Sequence, residues 1–406
     1  MLNFLILNVF AALATGGAVV VSQLLGAKDR DGACDAGRQL YLVVTVISLG
    51  IAALVMLFRV PLLRLLFGSI EDDVMASALT YLTINMFSYP VLALYNAGAA
   101  LFRAQGNSRI SMLIAGLVNV VNFIGNAGLI YGLKLGVTGA ALSTVFSRAV
   151  AALVITILLM NPELTVTLSR GGRFRVDRSL VRRILQIGIP NGLENSLFQL
   201  GRVLVVSIIA LFGTTQIAAN AVANNLDSLG ILPGQAMNLA MITVIGQCVG
   251  AGDAEQTRRM AKKLLKITYC ILGTTCALTI IFSPLILNIY SLSDESRHLA
   301  RLLVLIHNGS GILLWPSAFT LTNALRAAND VRYPMVIAIA SMMILRLGGG
   351  YVLAVHFNMG ALGIWTAMVA DWICRFICFV TRFCGKKWLT FAPTLREKAA
   401  ETPAKS

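Results

Sequence analysis

The chain has 406 residues, 57% of them hydrophobic and only 13% charged, with a mean hydropathy of +0.79. An average soluble domain is roughly 25% charged, so this composition excludes a soluble enzyme or binding domain and implies a membrane protein. The formal net charge of +15 would suit a nucleic-acid partner, but its meaning depends on where the charges sit.

A bilayer core about 30 Å thick takes roughly 20 apolar residues per helical crossing. The apolar runs are unbroken rather than alternating, which predicts helices, not strands of a barrel. In chain order they cover 2–26, 40–58, 76–101, 110–131, 137–160, 184–212, 217–250, 267–283, 299–325, 333–355 and 360–381, eleven predicted spans. The span 217–250 is too long for a straight crossing, and Pro233 within it predicts a kink or break. The seven cysteines (Cys34, Cys248, Cys270, Cys276, Cys374, Cys378 and Cys384) form no CxxC pair and read as packing residues.

The chain repeats itself. Gln23, Gly26, Ala27 and Asp29 match Gln247, Gly250, Ala251 and Asp253 at an offset of 224 residues. Pro61 matches Pro284, and Arg103 and Arg109 match Arg326 and Arg332, all at 223; Gly139-Ala140 pairs with Gly360-Ala361 at 221. Landmarks in the same order argue for duplication of a whole unit. The predicted fold is an all-α polytopic membrane protein with two bundles, five plus six helices from a 6+6 repeat. They are expected to relate by a pseudo-two-fold axis along the membrane normal. The expected division is 1–160 for the N-lobe, 161–183 for a basic cytoplasmic linker, 184–390 for the C-lobe and 391–406 for a disordered cytoplasmic tail.

Loops ending the odd-numbered spans through the ninth, together with the tail, carry 24 Lys or Arg, and the other loops carry five. The positive-inside rule makes the first set cytoplasmic and the C-terminus cytoplasmic with it. Most of the charge is therefore topology, and no nucleic-acid partner is expected. The same orientation leaves Met1 outside, and the repeat maps Met1 onto Asn225, inside a helix. These two facts lead us to expect a missing first helix, through a late start in the gene model or a truncation.

No GxxxxGK[ST] loop and no HExxH occurs, so neither direct ATP coupling nor metal chemistry is expected. Ionisable groups inside spans are costly and mark wet cavities or bundle interiors. Glu194 lies 11 residues beyond Arg183, roughly 16 Å deep at about 1.5 Å per residue, with Asn195 and Gln199 as polar neighbours. No basic residue lies one turn away, so Glu194 reads as an acid open to protonation or cation binding. Asp371 has Arg375 at i+4, which favours an internal ion pair over a switchable acid. Arg148, Arg202 and Arg346 are further cations within spans, their partners unreadable. Asn119, Asn122 and Asn126 form one stripe, read as glue between helices ahead of a cavity lining. His307 reads as packing, Asp227 with Asn224 and Asn225 as flanking the kinked helix, and Phe198, Tyr95, Met237, Met241 and Trp315 as candidates for an apolar wall.

The signatures "SQLLGAKD" and "GQCVGAGD", with "IPNGLENSLFQLG", "GALGIWTAMVADWICRF" and "RFCGKKW", resemble those of the multidrug and toxic compound extrusion (MATE) transporters over about residues 1–390. The resemblance implies two six-helix lobes around a cavity that opens to alternate faces. It implies export of organic cations and other amphipathic compounds in exchange for Na+ or H+, with no further cofactor. It also implies an acid in the seventh helix, where Glu194 falls, and places Asp371 in the last; the aspartate that many bacterial members use in their first helix has no counterpart here. The expected protein is an antiporter of the cytoplasmic membrane, a monomer in the lipid bilayer. The alternatives are a lipid or lipid-linked oligosaccharide flippase of the same superfamily, or a truncated remnant that does not transport.

Overall fold

The computed structural model describes residues 2–67, 72–169, 175–385, 387–392 and 395, and every regular element among them is a helix. Ten of these helices are long and apolar enough to cross a bilayer. Their outward faces expose large apolar side chains such as Leu57, Phe123, Leu232 and Ile281, a surface suited to lipid. The chain divides into two compact units, Met1–Gly192 and Leu193–Ser406.

The N-terminal unit holds α1 (Leu2–Gly26), α2 (Arg30–Leu57), α3 (Arg59–Phe67), α4 (Asp72–Met86), α5 (Ser88–Ala104), α6 (Ser108–Asn126), α7 (Gly136–Leu159) and the opening of α8 (Arg178–Ala210). Helix α1 packs on α2 and α5, α5 on α2 and α7, and α6 along α7. The start of α8 belongs here because its backbone touches α1: a Cβ on Gly16 would meet the Ile184 carbonyl oxygen at 2.6 Å. The division thus falls within α8 rather than in the stretch 161–183. The described part of that stretch is fastened to the N-terminal unit: Arg30 Nε donates to the Thr165 carbonyl at 3.0 Å and Gln39 Nε2 to that of Arg175 at 2.7 Å. Residues 170–174 and most of the tail 391–406 lie outside the described residues.

The C-terminal unit holds the rest of α8, then α9 (Thr214–Gly250), α10 (Ala254–Leu287), α11 (Asp294–Trp315), α12 (Leu321–Ala327), α13 (Arg332–Ser341) and α14 (Gly360–Cys384). Wide π turns continue α11 into α12 through Pro316–Thr320, and prolong α13 through Met342–Gly349. Helix α9 packs on α10, α11 and α12, and α11 on α14. The core there is aromatic, with Trp315, Trp365 and Trp372 in one cluster and Phe379, Phe383 and Trp388 in another.

The structure shows why the chain repeats its phrases: they are turns. At the first, Ala27 N bonds the Gln23 carbonyl at 2.9 Å, Lys28 turns to φ +63°, and the Asp29 side chain caps Gly32 N at 2.8 Å. At its copy, Ala251 N bonds the Gln247 carbonyl at 2.9 Å, Gly252 turns to φ +71°, and Asp253 caps Gln256 N at 2.8 Å. The second pair, ending α5 and α12, has Gly106 at φ +81° and Asn329 at φ +67°, each bonded back to the arginine carbonyl of Arg103 or Arg326.

Three expectations are corrected. The span 76–101 is not one helix: α4 and α5, of 15 and 17 residues, part at Phe87, which leaves ten long spans, not eleven. Pro90 explains the break, because it lacks an N–H and its ring crowds the carbonyl four residues back, that of Met86. Of the kink or break expected at Pro233 the break is absent, since α9 continues through it, and the Thr275 hydroxyl bonds the Gly230 carbonyl in the turn before at 2.9 Å. Finally, the third turn repeats at 224, not 221. Lys134 and Asn358 both have positive φ (54° and 55°), as do Gly136 and Gly360. Gly139 then matches Gly363, each pressed on the backbone of Leu129 or Leu353.

Candidate functional site

Glu194, Phe198 and Arg202 follow one another at i, i+4 and i+8, so they share one face of α8. Ala338, Met342 and Arg346 do the same along α13 and its π extension. A small recess is lined by Glu194, Leu197, Phe198, Ala338, Ile339, Met342 and Met343. The absence of a side chain on Gly201 lets Met342 approach α8 closely.

Glu194 is not the solitary acid that its local sequence predicts. Arg326 Nη2 donates to its Oε2 at 2.7 Å, and Arg326 is itself buried and held by Asn323 Oδ1 at 3.1 Å. Two corrections follow. Arg326 is no free loop charge, and Glu194 is paired near the end of α12, since Arg326 lies two residues before the cap Ala328. The cause is invisible locally: the partner lies 132 residues away. Asn195 and Gln199 are half-buried, and no hydrogen bond among the described residues ties either to Glu194.

Asp371 and Arg375 form the internal ion pair, Nε to Oδ1 at 2.8 Å, at 0% and 3% side-chain exposure. Arg375 also donates to the Ala338 carbonyl at 3.0 Å and lies over the rings of Phe198 and Phe319. Asp371 Oδ2 is buried without a hydrogen-bond partner.

A second polar cluster was only partly legible. Asp227 on α9 is buried, and its Oδ1 accepts from Asn308 Nδ2 on α11 at 2.6 Å. His307 Nδ1 lies 3.5 Å from the same oxygen, with its ring edge-on to Trp365 and Trp372. Trp365 Nε1 donates to Asn220 Oδ1 at 3.1 Å, and Asp227 Oδ2 has no hydrogen bond. The signal available in the sequence was the pair of isolated polar residues, Asp227 and His307, in otherwise apolar spans.

The asparagine stripe divides. Asn122 Nδ2 donates to Ser143, Thr144 and Ser147 on α7 at 3.4–3.5 Å, and Asn122 Oδ1 accepts from Asn126 Nδ2 at 3.1 Å, whereas Asn119 is exposed. The geometry of Asn122 and Asn126 is that of a bridge between helices. Among the described residues no group of His, Cys, Asp and Glu is placed to hold a metal ion.

A helical membrane protein built twice, with buried carboxylates in one copy, matches a known family. The MatE family model covers residues 1–127 and 190–352, one stretch in each repeat. The chain belongs to the MatE family. Curated relatives agree. It is 28% identical to the uncharacterized transporter YisQ of Bacillus subtilis, over 95% of this chain and 85% of the relative. It is 25% identical to the probable multidrug resistance protein NorM of Thermotoga maritima, over 97% of this chain and 84% of the relative. A crystal structure of a MATE protein in the bent conformation superposes with a TM-score of 0.86 at 20% identity, covering 98% of this chain and 87% of the other, a likeness of fold. This MatE-family chain is therefore a multi-pass membrane protein with the fold of paired helical bundles, and its membership points to transport rather than enzymatic turnover.

Proposed function

We propose that this transporter is a cation-driven antiporter of the cytoplasmic membrane that exports amphipathic organic compounds by alternating access. The observation that carries the reading is the Glu194–Arg326 pair at the edge of an open recess. A sodium ion or a proton on Glu194 competes with the guanidinium for the same oxygen, so the pair has two states that an ion gradient can drive. One charge moved through 100 mV supplies about 2.3 kcal/mol, enough for roughly a fiftyfold gradient. Asp227 is the second candidate for the coupling ion, because its Oδ2 is buried and unbonded.

The test is dye transport by the full chain in vesicles with a sodium or a proton gradient imposed alone. Wild type should respond to one of them. Glu194→Gln should insert normally and lose the coupled movement; an unchanged rate overturns the assignment and passes it to Asp227→Asn in the same assay.

A further inference from the structure

Charges in the C-terminal unit do not balance. Arg326 neutralises Glu194, and Arg375 neutralises Asp371. Among the described residues, Arg346 and Arg202 have no carboxylate hydrogen-bonded to them, and the buried Arg346 Nε has no hydrogen-bond partner. Among the ionisable groups singled out within its spans, four arginines (Arg202, Arg326, Arg346 and Arg375) stand against three acids (Glu194, Asp227 and Asp371). The cations are also gathered: Arg346 lies 5.4 Å from the ring centroid of Phe198 and Arg375 lies 5.7 Å from the same ring, and Arg346 feels the attraction of Asp371 first and then the repulsion of Arg375 and Arg202. Arg202 is exposed in the second half of α8, where an arginine is tolerated facing water and not acyl chains. Beside these cations the recess is apolar and sulfur-rich, with Leu197, Ile339, Met342 and Met343. Methionines adapt to differently shaped apolar bodies.

We propose that the C-terminal unit receives the anionic head group of an amphipathic organic molecule on Arg346 and Arg202, with its apolar body along Phe198, Met342 and Met343. Guanidinium forks suit a carboxylate, sulfonate or phosphate, and a desolvated surplus of positive charge disfavours an organic cation at the same place. The proposal rests on the transport reading above and gives the substrate class at this site a sign, opposite to the organic cations that the resemblance implies.

The test uses the full chain in phosphatidylcholine vesicles with two probes, carboxyfluorescein as the amphipathic anion and ethidium as the cation, followed by fluorescence anisotropy. Wild type should bind the anion more tightly. Arg346→Gln and the double variant Arg346→Gln, Arg202→Gln should weaken it about tenfold or more, with Arg346→Lys intermediate, ethidium binding no weaker than in wild type, and an unchanged melting temperature as the check on folding. Tighter ethidium binding by wild type, or anion binding indifferent to both glutamine variants, overturns the proposal. Adding phosphatidylglycerol separates the two sources of an anionic head: no effect supports an organic substrate, whereas displacement of the dye assigns the arginines to lipid and overturns the substrate form. Gradient-driven ethidium movement without anion binding sinks this inference and leaves antiport standing. Anion binding without gradient-driven movement of either dye does the reverse.

Discussion

At Gln23–Asp29 of the N-terminal unit and Gln247–Asp253 of the C-terminal unit the backbone makes the same kind of turn, with the Ala27 and Lys28 bonds repeated at Ala251 and Gly252. The interiors behind those turns are unlike. Among the described residues of the N-terminal unit, contacts between helices that carry one charge or none include Asn122 to three hydroxyls of α7 and Arg148 Nη1 donating to Ser88 Oγ at 2.7 Å. In the C-terminal unit ionic contacts appear, Glu194–Arg326 and Asp330–Arg382 between segments and Asp371–Arg375 within α14, with the Asp227 cluster beside them. The difference teaches that turn chemistry and site chemistry are separable in a duplicated chain. Caps and positive-φ positions act over three or four residues and persist wherever the helix must end, while a buried carboxylate needs a partner, which for Glu194 comes from another helix and for Asp371 from its own.

The largest effect should come from splitting an ionic contact of the C-terminal unit. Arg375→Ala leaves Asp371 buried and unpaired and should destabilise by about 3–5 kcal/mol, read as a lower melting temperature in detergent. A variant that melts with wild type would show that this pair contributes nothing to the interior. The matched glycines come next. A Cβ on Gly363 would lie 2.7 Å from the Leu353 carbonyl carbon, and one on Gly139 3.0 Å from that of Leu129. Both Gly→Ala variants should lose about 1–3 kcal/mol, Gly363→Ala the more, and an effect in only one unit would break the equivalence of the third turn.

Smaller still are the two caps. Asp29→Ala and Asp253→Ala should each cost about 1 kcal/mol. Equal losses in thermal unfolding sharpen the claim that the turn is one device used twice, and unequal losses refute it. The smallest effect expected is that of Asn122→Ala, at about 0.6 kcal/mol, the usual size for a hydrogen bond between membrane helices. A loss as large as that of Arg375→Ala would mean that the neutral interior is as demanding as the ionic one.

Sequence by itself determined the class, the duplication and the place of most helices, because apolar run length, lysine and arginine placement and Gly-x-Asp turns are local or periodic signals. It also determined the Asp371–Arg375 pair, whose spacing of four residues is one helical turn. Tertiary structure alone decided that Phe87 ends a helix while Pro233 does not, since proline removes one bond in either place and the surrounding contacts settle whether the helix continues. It alone decided that Glu194 has Arg326 for a partner, that Asp227 meets Asn308 and His307, and that Arg346 and Arg202 are left over. Charge pairing between distant segments depends on which helix faces meet, and no spacing along the chain encodes that.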